Sequence, residues 1–413
     1  MSNTILTPTV VTREIGMILH NNLRFCRNIN RQYDESHKMT GQRDGGSIKL
    51  RLPNQYTTST GAALDIQDTT EDSVTLTRGT QRHVDMNFNT DELTQSLDDF
   101  SERVLMPATS TLASVIDYDA MSMTNQIANS VGTPGTTPAS ALVWLQANQK
   151  MSEFATPETQ RFAGLSPAAN AASVDGMKGL FHAGDTLSKQ FKAGRMGVMT
   201  LGIDEWFTTQ NVRTLTTGSG AATSWLVNEP SGTNLVEGTR ILDLDGGSGT
   251  ETMVVGDVFT LDGVYAVNPE TKQSTGSLQQ FVVTNAATAS GGDITGGTGT
   301  GQLQFYPPIY TSASGALQNV SEMPSDGDAV TVMGAASTAY PQNIVFHKDA
   351  FVLATADLEM PQGVDFSARE VVDDISIRLV RQYRIGNDDI PCRADVLYGY
   401  TAFRKEMACR VWG

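Results

Sequence analysis

Cysteine is nearly absent from this 413-residue chain: Cys26, Cys392 and Cys409 lie far apart and form no CxxC pair. An odd, scattered set excludes a disulfide framework and a thiolate metal centre, and it fits reduced thiols inside a cell. No apolar run approaches the ~18 residues of a membrane-spanning helix. The opening MSNTILTPTVVTREIG has no basic stretch followed by a long apolar core, so no export signal is read there and no membrane partner is expected. Positive charge is also in short supply. The 29 Lys and Arg against 45 Asp and Glu leave a formal net charge of −16. The chain as a whole therefore repels nucleic acid, and any such contact must be local. Hydrophobic residues make up only 39%, while Gly, Ser, Thr and Asn abound, which favours turn-rich β structure over a helical bundle.

The motifs of common chemistries are missing too. There is no GxSxG elbow, GxxxxGK[ST] loop or HExxH pair. DLDGGSGTE at 243–251 has a calcium-loop look, but Ser248 stands where Gly is needed and Val254 where the bidentate Glu belongs, so a tight turn is expected. Asn387-Asp388-Asp389 carries carboxylates suited to a general base or a metal. No histidine or second acidic cluster lies near it in sequence, and it reads as a turn. His20, His37, His83, His182 and His347 stand singly and read as surface or core side chains. No catalytic residue, metal or cofactor is assigned, and the chain is not read as an enzyme.

What is present starts with helices. Residues 12–29 form an amphipathic pattern, with Thr12 as cap and Ile15, Ile18, Leu19, Leu23 and Cys26 on one face. Asp91–Leu105 repeats the pattern with Leu93, Leu97, Phe100 and Val104. Pro107–Val131 is a longer run (Leu112, Val115, Ile116, Met123, Ile127) stopped by Gly132 and Pro134, which at 1.5 Å per residue would reach about 36 Å. Two further starts follow: Thr137 as cap with Pro138 in the first turn and Leu142 and Leu145 on one face, and Ser166-Pro167. His347–Ala356 is predicted helical as well.

Period-two segments mark half-buried strands at Ser47–Leu52, Ser73–Asn89 and Ile375–Ile385. Some twenty polar residues, Pro53–Asp72, separate the first two, beyond the ~12–15 at which structureless loops become uncommon. A long hairpin of this kind reads as an arm reaching a neighbouring molecule. Around it the charge inverts: residues 13–51 hold eight Lys or Arg against four acids, a local site for a polyanion or an acidic partner.

From Thr214 to Gly334 the character changes again. These 121 residues hold 19 of the 38 glycines and twelve acids against Arg240 and Lys272, with no Cys or His. Short β-rich runs between turn signals make this an all-β module, a barrel or a sandwich. Helix and strand patterns resume after it, so it reads as an insertion.

The segments SPAANAASVDGMKGLF (166–181), LGIDEWFTTQNV (201–212), GDVFTLDGVYAVNPETKQSTGSLQQFVVT (256–284) and RADVLYGY (393–400) carry a likeness. Together with the order of parts, they resemble the major capsid proteins of tailed bacteriophages with the Hong Kong 97-type fold, and most of all the phage P-twenty-two coat family. The resemblance implies an α+β capsid fold with an inserted all-β barrel domain. Residues 1–45 would be the N-terminal arm and 46–90 the extended E-loop hairpin. Residues 91–137 would be the peripheral domain with its long spine helix, and 138–213 the first part of the axial domain. The insertion would span 214–334, and 335–413 would hold the axial return and the C-terminal peripheral strands. The implied function is a self-assembling icosahedral head shell around double-stranded DNA, located in the virion and, during assembly, in the host cytoplasm. Implied partners are identical copies in pentamers and hexamers, a scaffolding protein and portal, a decoration protein, and packaged DNA met without sequence specificity. Candidate contact residues are Arg24, Arg27, Arg31, Lys49, Arg51, Arg78, Arg82, Glu229 and Glu237. The alternative, a β-rich surface-layer or adhesin-type protein, calls for an export signal; a hydrolase calls for a nucleophile–base pair.

Overall fold

Proline and serine set the helix starts in the computed structural model, which describes residues 8–33, 47–62, 66, 72–77, 79–89, 106–177, 194, 196–197, 199–229, 232, 234–295, 302–386 and 389–412. Helix α1 runs Pro8–Asn22, four residues earlier than the Thr12 cap predicts, because Pro8 suits a first turn whose N–H groups are unpaired anyway. Thr12 is instead buried inside the helix. The predicted extension to residue 29 does not form. The Asp117 carboxylate collects the N–H groups of Arg24, Phe25 and Cys26 at 2.6, 3.3 and 3.0 Å, so the chain turns there while still burying Leu23, Phe25, Cys26 and Ile29.

Helix α2 runs Met106–Ala120, about 22 Å, and not to residue 131. A 3₁₀ segment, Met121–Gln126, follows, and Ser130–Val131 is a strand. The apolar spacing is helical throughout, but Val131 pairs with Val411 and the Asn129 amide donates to the carbonyls of Glu406 and Ala408. Helix α3, Ala141–Glu153, is capped by Ser140. It buries Trp144, Ala147 and Met151, leaving Leu142 and Leu145 outside, the reverse of the expected face. The Trp144 ring decides this. It packs edge-on against Trp206 at 5.1 Å and its Nε1 donates to Ser173 Oγ. Helix α4, Pro167–Gly176, begins where expected, with Ser166 as cap. The Asp91–Leu105 helix lies outside the described residues.

The chain forms two compact units. The first contains described residues within 1–51, 73–121 and 351–403. Its open sheet has the order Asn30–Tyr33, Phe351–Ala356, Asp389–Ala402, Ile375–Arg381, Phe366–Val372, and Thr80–Asn89 pairs along the long central strand. Residues 347–356 are thus strand and 3₁₀ turn, not helix. All six residues of Phe351–Ala356 are buried, so the run lacks alternation because both its faces are covered. The hairpin Ser47–Arg51/Ser73–Thr77 is a two-stranded sheet with the register Ser47↔Thr77. Its apolar side (Ile48, Leu50, Leu76) packs on Val352, Ala354 and Phe403.

The second unit takes in residues 52–72, 122–350 and 404–413. One part is a five-stranded sheet in the order Ser130–Val131, Ala408–Val411, Asn343–His347, Arg161–Leu165, Glu205–Thr208, with α3 and α4 against its core. The other is the Gly-rich module. Thr214–Thr216, leading into it, pairs with Ala339–Pro341, leading out, so a single ladder closes its base. Its seven-stranded sheet begins with Thr239–Leu242 and ends with Leu244–Asp245. Asp243 alone joins these two ends, so the sheet is nearly closed. Inside it Phe259, Phe281 and Phe305 stack within 5.2–5.9 Å of one another, with Trp225 buried in the same cluster.

Candidate functional site

Among the described residues no group of three His, Cys, Asp or Glu is arranged to hold a metal. The acidic loop 243–251 is a turn: Glu251 accepts from Ser248 N, Ser248 Oγ and Gly249 N at 3.1, 2.7 and 2.8 Å. These bonds, led by the Ser248 hydroxyl, hold its carboxyl down at about 2. Asp389 is likewise committed, to Arg384, while Asn387 and Asp388 lie outside the described residues. His347 is buried, which pushes its imidazole below the usual value; His20 and His83 sit against Asp373 and Asp85.

The candidate contact residues fall into three groups. Arg24 and Arg27 are exposed on the Asp117-anchored turn, a rigid mount with its carboxylate partner buried beneath it. Burial raises the Asp117 pKa despite those N–H bonds. Lys49 and Arg51 alternate along the outer side of the hairpin strand. All four residues are exposed.

Arg31 and Arg82 are turned to internal work. Arg31 pairs with Asp373 at 2.6 Å, which together with His20 fixes the tight Asp373-Asp374 turn. Both aspartates there have positive φ, 51° and 62°, as the two-residue turn between the paired Val372 and Ile375 requires and as aspartate tolerates better than most L-residues. Arg82 donates twice to Asp119 Oδ2, which also accepts from Tyr398. Arg78 lies outside the described residues.

The acidic candidates behave differently from each other. Glu229 is 5% exposed and accepts from Asn234 and from the N–H of Asp243, pinning the residue that closes the module sheet. Glu237 is exposed and accepts from Thr311 and Ser314. Slight desolvation works against ionisation, but those bonds outweigh it and hold the carboxyl below the usual range.

Several organising residues carry no motif. Asp395 is fully buried with Arg378 two-armed against it, Arg393 at 3.1 Å and Gln81 donating at 2.9 Å. Arg410 is fully buried, donating to the carbonyls of Gly256 and Ile127 and to Gln342. Desolvation pulls its guanidinium down to about 9 against the opposing charge of Asp257. The only hint in sequence is a charge at an inward position of an alternating strand.

Residues 3–412 match the family model described as P22 coat protein - gene protein 5. The chain belongs to the P22 coat protein family. It is a major capsid protein of a phage, and copies of it build the virion shell. Its role is structural. No curated protein matches this coat protein. Among solved structures it is similar to one from Mycobacterium phage Che8, at 11% identity over 94% of this chain and 90% of that one, with a TM-score of 0.43. It is also similar to the capsid of Cyanophage P-SCSP1u (10%, 93% and 86%, 0.45) and to the mature capsid of bacteriophage PhiM1 (11%, 94% and 86%, 0.44).

Proposed function

We propose that the coat subunit follows the Hong Kong 97-type plan, with an inserted β-barrel, and closes a double-stranded DNA head through pentamers and hexamers. The observation that carries this reading is the hairpin at 47–77. Its root is anchored on its own sheet through Leu76, yet among the described residues its two strands pair with no third. Further out, Tyr56 and Ile66 are 58% and 79% exposed. A two-stranded hairpin is marginal by itself; identical copies would complete it, with weak contacts multiplied over the shell. The single base ladder and nearly closed sheet support the barrel insertion. Helix α2 would be a shortened spine. In this reading Arg24 and Arg27, with Lys49 and Arg51, meet an acidic scaffolding protein or packaged DNA at the inner wall; portal and decoration proteins would join elsewhere.

The test is deletion of residues 53–71 in the full chain, followed by light scattering and electron microscopy with and without scaffold. The expected result is folded subunits with an unchanged far-UV spectrum and no shells; normal shells would overturn the arm reading. Arg24→Gln/Arg27→Gln should weaken scaffold-dependent assembly while leaving the fold intact. Arg31→Gln, by contrast, should loosen the N-terminal segment itself.

A further inference from the structure

The hairpin formed by Ile375–Arg381 and Asp389–Ala402 ends in a clamped tip. Arg384 N donates to the Asp389 carbonyl at 2.9 Å, and the guanidinium grips the Asp389 carboxylate through two bonds of 2.9 and 2.5 Å. Beyond this clamp Ile385 is 88% exposed, with Tyr383 at 41% beside it. Such a tip cannot turn its isoleucine inward without breaking the clamp.

Beside the clamp, along the ends of the two strands that lead into the tip, lies a cavity of about 370 Å³. Its lining includes the apolar Pro361, Val380, Pro391 and Cys392, with Asp85 and Arg393 among its charged members. Gln382 N bonds to the Pro391 carbonyl, so the clamp stands between this cavity and the chain's own Ile385. One pair of opposite charges stands at the two places, alongside Arg378 and Arg393 in the lining. Asp85 is 63% exposed, with His83 at 3.0 Å from it, and Arg384, next to Ile385, is 54% exposed.

We propose that Ile385 of one subunit seats in this cavity on a second copy, with Arg384 of the first beside Asp85 of the second. Because projection and cavity sit on one hairpin, every copy offers both halves. Such a head-to-tail contact repeats from copy to copy, and gives a ring where its rotation closes. The inference rests on the shell-forming reading above, and it assigns a contact to a part of the subunit that reading leaves unused.

Cys392 supplies the test. Ile385→Cys in the full chain should assemble and, on mild copper-phenanthroline oxidation, give a ladder of disulfide-linked multiples of the subunit, since two thiols can join when their Cα atoms come within about 4.4–6.8 Å. The ladder should vanish in Ile385→Cys/Cys392→Ser and in unassembled subunits. Ile385→Asp, and Val380→Trp, which fills the cavity, should each slow assembly at least tenfold with an unchanged far-UV spectrum, while Ile385→Val stays within twofold. Three results would overturn the proposal: shells of Ile385→Cys that never cross-link, cross-links to a different protein only, or wild-type assembly by Ile385→Asp. Failure of the unmodified protein to form shells would count instead against the shell-forming reading.

Discussion

The open sheet of the first unit and the nearly closed sheet of the module solve one problem in opposite ways. The module buries its strand interior against itself, around stacked Phe259, Phe281 and Phe305, and its two ends meet at Asp243. Closure removes edges and makes the core self-sufficient. The open sheet keeps its edges and is braced by charge: Asp117, Asp119, Asp373 and Asp395 each tie together segments distant in sequence. A nearly closed sheet and an open one coexist in one coat subunit.

The largest blow to this contrast should come from the module core. Phe281→Ala should cost roughly 3–5 kcal/mol, lowering the urea midpoint of the module while the open sheet keeps its spectrum. A single transition in which both fail together would show that the two parts are not independent. Next comes the bracing. Asp117→Asn leaves three N–H groups with a poorer acceptor and should cost about 2 kcal/mol, seen as protease cleavage around Arg24 and Arg27 with the module untouched.

A smaller effect is expected with pH. The Ser248 and Gly249 hydrogen bonds hold Glu251 at about 2 in the folded chain, against 4.5 for a free glutamate. Its contribution is therefore complete above pH 4.5 and is lost as pH falls toward about 2. Glu251→Gln should flatten that arm of the urea-midpoint curve; an unchanged slope would mean the turn does not depend on the charge. The least effect is expected outside α3. Leu145→Gln, at a 45% exposed position, should shift stability by less than about 0.5 kcal/mol, whereas Trp144→Ala beside it should cost about 3–5 kcal/mol.

Much of this was legible in the chain itself. Ser166-Pro167 marks a helix start because a side-chain oxygen and a missing N–H act within one turn. Ser47–Arg51 and Ser73–Thr77 read correctly because period two needs only the strand's own residues. Two misses share a cause. Residues 121–131 have helical spacing, yet Ser130–Val131 is drawn into a sheet by Ala408–Val411, nearly 280 residues away. Leu142 and Leu145 looked inward by spacing, but the bulk of Trp144 and its bond to Ser173 rotate the helix the other way. Glu229 looked like a surface acid and is buried, where it accepts from Asn234, five residues on, and from the N–H of Asp243; the sequence carries no signal for that local turn.

The sequence by itself determined the segments with local causes: the β-rich character of the acidic, glycine-rich stretch, the strands of the hairpin, the helix start at Ser166-Pro167, and the family to which the coat protein belongs. Only the tertiary structure decided where α1 and α2 stop, which face of α3 is buried, and which charges are spent inside the subunit. Those outcomes depend on partners far apart along the chain, whose effect exists only once folding has placed them within hydrogen-bonding distance.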